Sequence, residues 1–160
     1  MKSPKAYDRF DLQLLKALQR HGRATSAELS RAANLSESSC LRRVRQLEAD
    51  GIIQRYAAIV AQERVGLGLN IFVTITLTSQ SETALRHFEA EVARIDEVME
   101  CFLMTGTADY LIRLVACDVD DLEHLHATRL TRLPHVARVT SSIAMRQVVR
   151  RTDLPVRQIA

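Results

Sequence analysis

Two short helical segments, joined by a tight turn, restrict the fold of the first third of this chain more than any other feature. Thr25 and Glu28 have the spacing of a capping box, in which a hydroxyl and a carboxylate satisfy each other's backbone N–H groups, so a helix is expected from there to about Ala33. Ser36 is a favourable N-cap for the next helix, and Gly51 suits the left-handed position just beyond its end. The pair predicts a helix-turn-helix.

The second of these helices has two chemically different sides. Cys40, Val44 and Leu47 recur at positions i, i+4 and i+7, so this stripe is expected to face a core. Hydroxyls can contact bases or phosphates, and arginine neutralises phosphate or reads guanine. We therefore predict a double-stranded DNA contact, with an ordinary solvated helix face as the alternative. The predicted DNA-binding residues are Glu37, Ser38, Ser39, Arg42, Arg43 and Arg45.

Net charge changes sign along the chain. Residues 1–64 hold 12 Lys and Arg against 7 Asp and Glu, a net charge of +5, whereas residues 65–145 hold 6 against 11, a net charge of −5. Residues 146–160 hold 4 against 1, which brings the whole chain to +3. A basic first part favours a polyanionic partner, and an acidic second part indicates a different task.

The hydrophobic period changes where the charge does. Residues 62–68 contain two of the five glycines and predict a linker between a helix-turn-helix domain at residues 1–61 and a second domain at residues 69–160. In Leu69–Thr78 every second residue is aliphatic, which predicts a half-buried strand. Ile52–Val60 is rich in β-prone residues and is expected to form a strand or wing after the second helix.

The second domain has the element order βαββαβ. Ser81 and Asp118 are N-caps of two expected helices. The expected strands are Leu69–Thr78, Val98–Thr105, Tyr110–Cys117 and Val136 to about Val148. This order predicts a ferredoxin-like α+β unit, with two helices on one face of an antiparallel sheet and the other face available for self-association. Residues 150–160 are expected to be a last short strand or a loose end.

The sequence gives little support to several other classes of protein. Its apolar runs are far shorter than the roughly 20 residues of a membrane span, and the first residues lack the apolar region of a signal peptide, so a cytoplasmic protein without a membrane partner is expected. Cys40, Cys101 and Cys117 are widely spaced and are expected to be buried reduced thiols, with a metal site or redox pair as the alternative. No catalytic or cofactor motif stands out, so we predict neither an enzyme nor a cofactor.

Five segments, in order, resemble the Lrp/AsnC family, the leucine-responsive or feast/famine regulators. They are Asp11–Leu15, Leu35–Val44, Leu47–Ile53, Gly106–Tyr110, and Leu133–Val136 with the nearby Thr140. The resemblance covers nearly the whole chain. It implies an N-terminal winged helix-turn-helix followed by a C-terminal ferredoxin-like (RAM/ACT-like) βαββαβ domain. It also implies a sequence-specific DNA-binding transcriptional regulator of amino-acid metabolism, which forms a homodimer and often an octamer.

The resemblance further implies that a small amino-acid effector binds between C-terminal domains of neighbouring dimers. Gly106 would let a ligand approach the backbone, loop N–H groups would hold its carboxylate, and Asp109 would accept from its ammonium group. The alternative is an ordinary β-turn, since Gly and Asp are common turn residues. The implied effector-binding residues are Thr105, Gly106, Thr107, Asp109, Tyr110, Thr140 and Ser142.

Two other functions remain open on the same fold. A sirohaem-decarboxylase-like enzyme resembles this family, although the arginine-rich helix has no purpose in such an enzyme. A DNA architectural protein without an effector would need only the helix-turn-helix.

Overall fold

The computed structural model describes residues 7–157, which contain five α-helices and four β-strands. The elements are α1 (Arg9–Arg20), α2 (Ser26–Ala33), α3 (Glu37–Ala49), β1 (Leu69–Leu77), α4 (Glu82–Val92), β2 (Val98–Leu103), β3 (Tyr110–Ala116), α5 (Val119–Thr128) and β4 (Val136–Ile143). Short 3-10 turns occur at Gln62–Val65 and Leu130–Arg132. Among the residues described, no helix is long and apolar enough to cross a membrane.

The chain divides into two compact units. The first, the N-terminal unit, combines the residues up to Ile59 with those from Val149 onward, and the second, the sheet unit, is Val60–Val148. The sequence predicts one continuous domain over residues 69–160, whereas here the last part of the chain packs with the N-terminal unit. The predicted linker at residues 62–68 holds a 3-10 turn followed by Gly66 at a φ of 84°.

Local capping explains the three helices of the N-terminal unit. Asp8 and Asp11 form a capping box at the start of α1, and Thr25 and Glu28 form the predicted one at α2. Ser36 caps α3 by accepting from the Ser39 N–H at 3.3 Å, as expected. The apolar stripes meet in one core, formed by Leu14, Leu18, Leu29, Ala33, Cys40 and Val44.

The segment after α3 is not the predicted strand. Residues 52–60 contain no β-structure, and beyond Ile53 the segment is irregular and exposed. A strand needs a neighbouring strand to hydrogen bond with, and within the described part of the N-terminal unit no strand is present to pair with it. The Tyr56 hydroxyl, which donates to Glu48 Oε1 at 2.9 Å, holds the middle of the segment to α3.

The C-terminal segment, residues 149–157, is neither the predicted short strand nor a loose end. It runs beside α1, where Asp153, Leu154, Pro155 and Val156 border a small cavity with Lys16, Gln19 and Arg20. The Gln19 side chain bonds both to the N–H and to the carbonyl of Leu154. These contacts make the C-terminal segment part of the N-terminal unit.

The sheet unit has the predicted βαββαβ order. Its four antiparallel strands lie in the order β2-β3-β1-β4, which is the ferredoxin-like arrangement. Ile71, Val73, Ile75 and Leu77 point from β1 into a core shared with Phe88 and Val92 of α4 and Leu122 and Leu125 of α5. The alternate side chains, such as Phe72 and Thr74, are exposed on the opposite face of the sheet.

The last strand ends earlier than the sequence predicts. β4 stops at Ile143, not near Val148. Ile143 pairs with Ile71, and the Ala144 N–H donates to Asn70 at 2.9 Å. Since β1 begins only one residue before Asn70, the chain beyond Ala144 has no further strand to pair with.

Candidate nucleic-acid interface and small-molecule loop

The side of α3 opposite its buried stripe forms one continuous surface. Ser38, Arg42 and Arg45, all predicted from the sequence, share it and are exposed. The full set bordering a shallow cavity of about 530 Å³ is Ser38, Leu41, Arg42, Arg45, Gln46 and Ala49. These six positions follow the i, i+3, i+4, i+7 rule of a helix face, so the period that predicted the buried stripe could also have found Leu41, Gln46 and Ala49. We call this set the outer face of α3.

Glu37 and Ser39 lie at the first turn of α3 and have protein partners. Glu37 Oε2 accepts from the Ser26 hydroxyl of α2 at 2.7 Å. The Ser36 hydroxyl donates to Ser39 Oγ at 2.9 Å and lies 3.2 Å from the hydroxyl of Ser38. This network fixes the start of α3 against α2, and it leaves Ser38 exposed at the edge of the outer face.

Arg43 points away from the outer face, toward α1. Its Nη1 atom lies 2.8 Å from Asp11 Oδ1 and 2.8 Å from Asp8 Oδ2, and the guanidinium carbon lies 5.5 Å from the centre of the Phe10 ring. Hydrogen bonding to Asp11 is the main cause of a raised Arg43 pKa. Of the three arginines at positions 42, 43 and 45, only Arg42 and Arg45 therefore lie together on the outer face.

The Gly106–Tyr110 segment connects β2 to β3. Thr105, Gly106 and Thr107 are exposed, and Gly106 has a φ of 127°, a conformation that residues with a Cβ rarely adopt. The backbone closes the loop with two hydrogen bonds, from Met104 N–H to the Asp109 carbonyl at 2.8 Å and from Asp109 N–H to the Ile75 carbonyl at 2.9 Å. The loop therefore presents backbone and hydroxyl groups to solvent from a fixed base.

Asp109 is the buried polar residue at that base. Its side chain accepts from the Leu77 N–H at 2.7 Å and from Gln80 Nε2 at 2.7 Å, and the residue is only 8% exposed. The carboxylate therefore joins the loop to the end of β1. The predicted acceptance of a ligand ammonium by Asp109 remains a prediction, and within this chain both oxygens already have donors.

Tyr110 is also buried beneath the loop. Its hydroxyl donates to Glu89 Oε1 of α4 at 2.8 Å, and its ring centre lies 4.5 Å from that of Phe88. Burial, followed by the hydrogen bond to Glu89, raises the pKa of Tyr110 well above its usual range. Burial and this hydrogen bond therefore keep the Tyr110 side chain as a neutral phenol, which holds β3 to α4.

Thr140 and Ser142 lie elsewhere on the same sheet. They are exposed on β4, where they pair with Thr74 and Phe72 of β1. The loop joins β2 to β3, and Tyr110 begins β3, so β1 lies between this end of the loop and β4. Among the described residues no hydrogen bond joins Thr140 or Ser142 to the loop.

The cysteines differ in exposure. Cys40 is buried and Cys101 half-buried, but Cys117 is exposed, so the expectation of three buried thiols is wrong for Cys117. It follows β3 directly, between that strand and α5. In residues 7–157, no three His, Cys, Asp or Glu side chains are grouped closely enough to hold a metal ion.

Two family models match separate parts of the chain. One, described as winged helix-turn-helix DNA-binding, matches residues 7–54, and the other, the Lrp/AsnC ligand binding domain, matches residues 70–154. Among curated relatives, the Bkd operon transcriptional regulator of Pseudomonas aeruginosa is 37% identical over 92% of this chain and 97% of its own length. The leucine-responsive regulatory protein of Escherichia coli K12 is 35% identical over 90% of this chain and 88% of its own.

Solved structures of transcriptional regulators are also similar to this chain over nearly its whole length. A transcriptional regulator of Neisseria meningitidis, solved as a complex with L-Met, superposes with a TM-score of 0.88 at 36% identity and covers 93% of this chain and 96% of its own. An AsnC family transcriptional regulator of Agrobacterium tumefaciens superposes with a TM-score of 0.89 at 32% identity, covering 93% and 97%. The similarity therefore extends over both units.

Proposed function

The chain belongs to the Lrp/AsnC family of transcriptional regulators, and from this premise we propose that the outer face of α3 reads DNA while the β2–β3 loop binds a small amino acid. The family assignment agrees with the resemblance seen in the sequence. The observation that supports the DNA contact best is the outer face itself, where Ser38, Arg42 and Arg45 are exposed on one side of a capped helix. Arginine and hydroxyl groups are the common donors to phosphates and base edges.

In this proposal two of the remaining predicted residues support the start of α3. Glu37 and Ser39 fix the first turn of the helix, which is the end that enters the major groove in helix-turn-helix proteins. A homodimer would present two such helices to grooves about 34 Å apart. The protein would act on DNA in the cytoplasm.

A salt titration tests the DNA contact. Arg42→Ala and Arg45→Ala should each weaken binding to a duplex selected with the wild-type protein and reduce the slope of log Kd against log salt by about 0.9 per lost phosphate contact. Arg86→Ala is the matched control, because it removes an exposed arginine of the sheet unit that pairs with Glu82. Unchanged slopes for both α3 variants would rule out the outer face as the DNA contact.

We propose that an amino-acid effector meets the exposed Thr105–Thr107 part of the loop. Backbone N–H groups and threonine hydroxyls can hold a carboxylate, and Asp109 and Tyr110 keep the loop in place. The second part of the site, with Thr140 and Ser142, would come from a neighbouring chain. The Neisseria relative solved with L-Met makes a free amino acid the first class of ligand to test.

Thermal shift against the twenty amino acids, combined with light scattering, tests the effector. We expect at least one amino acid to raise the Tm of the sheet unit and to change the size of the assembly, counted in multiples of 18.0 kDa. Gly106→Ala should abolish the response because Gly106 has a φ of 127°, whereas Gly22→Ala, at a glycine outside the left-handed region, should keep it. No response to any amino acid would favour the architectural alternative.

The proposed assembly is a homodimer that associates further to an octamer. Within one chain the sheet face bearing Phe72 and Phe102 is uncovered, with these rings 40% and 50% exposed, and a second copy would cover it. We propose no catalytic activity. The sirohaem-decarboxylase-like alternative predicts a shift of the Soret band when the protein is mixed with sirohaem, and we expect none.

A further inference from the structure

Arg43 has a different environment from the arginines on either side of it. Its side chain is 22% exposed and lies between α3 and the start of α1, whereas Arg42 and Arg45 are exposed on the outer face. Successive residues of an α-helix are turned by about 100°, so a side chain between positions 42 and 45 need not share their side. The structure thus separates one arginine from a cluster that looks uniform in sequence.

Three groups at the start of α1 hold the Arg43 guanidinium. Asp11 Oδ1 and Asp8 Oδ2 each lie 2.8 Å from Nη1, and the Phe10 ring lies 5.5 Å from the guanidinium carbon. Asp8 and Asp11 are also the two members of the capping box that begins α1. A single guanidinium therefore joins the first turn of α1 to the middle of α3.

Contact with DNA would require Arg43 to leave these groups. Both carboxylates would then lose their nearest cation, and two negative charges would remain beside the helix that approaches phosphate. Arg42 and Arg45 face no such cost, because no ion pair holds either of them among the described residues. The arrangement favours a guanidinium that stays with α1 when DNA binds.

We propose that Arg43 is a positioning residue for DNA recognition, which fixes α3 against Asp8 and Asp11 of α1 without contacting DNA. It thereby sets the angle at which Ser38, Arg42 and Arg45 meet the groove. Asp8 and Asp11 therefore help to position α3, although their charge is opposite to that of a phosphate-binding residue. This assignment rests on the proposed DNA contact of the outer face.

Asp11→Asn separates the two possible roles of Arg43, because they predict effects of opposite sign. If Arg43 positions α3, weakening its main partner should lower the affinity for the specific site. If Arg43 contacts phosphate, the same change should leave binding equal or strengthen it, since it removes a negative charge and releases an arginine. Asparagine keeps an oxygen acceptor for the Asp8 N–H, so the capping box retains a partner.

The experiment compares full-length wild type, Arg43→Met, Asp11→Asn, the double variant and Arg42→Ala. The probes are the tightest duplex selected with wild type and a scrambled duplex of equal composition, titrated by fluorescence anisotropy across a salt series. Arg43→Met and Asp11→Asn should each lose about tenfold in specific affinity, since misplaced base contacts lose discrimination. Their affinity for the scrambled duplex and their salt slopes should match those of wild type.

The double variant and the control complete the test. Residues that act as one unit should show a loss in the double variant close to that of either single variant, rather than the product of both. The assignment is overturned if Arg43→Met lowers the salt slope as Arg42→Ala does, or if Asp11→Asn keeps or gains specific affinity. If Arg43→Met does not fold, as judged by circular dichroism, Asp11→Asn alone decides. Unchanged slopes in both Arg42→Ala and Arg45→Ala would instead refute the DNA contact of the outer face.

Discussion

The side chain of Gln19 satisfies both backbone polar groups of Leu154, a residue 135 positions later in the chain. Its Oε1 accepts from the Leu154 N–H at 2.6 Å, and its Nε2 donates to the Leu154 carbonyl at 3.2 Å. The Gln19 amide thus accepts one hydrogen bond and donates one, as a backbone neighbour does between two β-strands. It holds the C-terminal segment, which follows β4 of the sheet unit, on α1 of the N-terminal unit.

Gln19→Ala should loosen this segment. The loss of two exposed hydrogen bonds should lower the free energy of unfolding of the N-terminal unit by about 1 kcal/mol. Hydrogen exchange should show the Leu154 amide losing protection, while amides of the sheet unit stay unchanged. Gln13→Ala, at an exposed position of the same helix, is the control. Equal effects in both variants would mean that the Leu154 contact adds nothing to stability.

The parts of the fold that could be predicted are those that depend on residues close together in the sequence. The alternation from Ile71 to Leu77 predicts β1 because side chains of a strand alternate between its faces. Thr25 and Ser36 predict helix starts because their partners lie within three residues. The end of β4 and the path of the C-terminal segment could not be predicted, since they depend on the distant residues Asn70 and Gln19.

The candidate site could likewise be predicted only where it depends on residues close together in the sequence. Helical period alone separates the outer face of α3 from its buried stripe, but it cannot show that Arg43 has a partner 32 residues earlier, at Asp11. The loop motif was visible in the sequence as Gly106 and Asp109. Its chemistry was not, because the donors to Asp109, Leu77 and Gln80, come from the end of β1 and the turn after it.

Thiol labelling should follow the exposure of the cysteines. Iodoacetamide at pH 8, followed by mass spectrometry, should modify Cys117 first, Cys101 more slowly and Cys40 last. Burial raises the pKa of Cys101 to about 11, which adds to its steric protection. The pKa of Cys117 is also raised, by desolvation and by the nearby Asp121, so accessibility decides the order. Early labelling of Cys40 would contradict the packing of α3 in the core.

Stability at alkaline pH should depend on Tyr56. Partial desolvation, and then the hydrogen bond to Glu48, raise its pKa to about 12 in the folded chain, above the ordinary value of 10.0. Because the neutral phenol is the form favoured by folding, its contribution is complete below pH 10 and is lost as the pH rises toward 12.

Tyr56→Phe should therefore make the fall in stability between about pH 10 and 12 shallower, as measured by denaturant unfolding at each pH. Glu48→Gln keeps an oxygen near the hydroxyl at 2.9 Å but removes the charge, so absorbance at 295 nm should show a lower pKa for Tyr56. Titration curves that coincide for wild type and Glu48→Gln would contradict the contact.

Asp109→Ala should damage both the fold and the response of the sheet unit. It leaves the Leu77 N–H buried without its acceptor and releases Gln80, which should lower the free energy of unfolding by about 2 kcal/mol. Denaturant unfolding measures this change. Asp96→Ala, which removes an exposed carboxylate of the same unit, should have little effect.

Asp109→Asn then distinguishes support of the loop from contact with the effector. Asparagine keeps one oxygen for the Leu77 N–H, and Gln80 can turn its amide to accept from the new NH2 group, so the loop should keep its shape. If Asp109 only supports the loop, the variant should still respond to the amino acid found by thermal shift. If its carboxylate accepts from the ligand ammonium, the response should disappear while stability stays near that of wild type, because only the charge needed by the ligand has been removed.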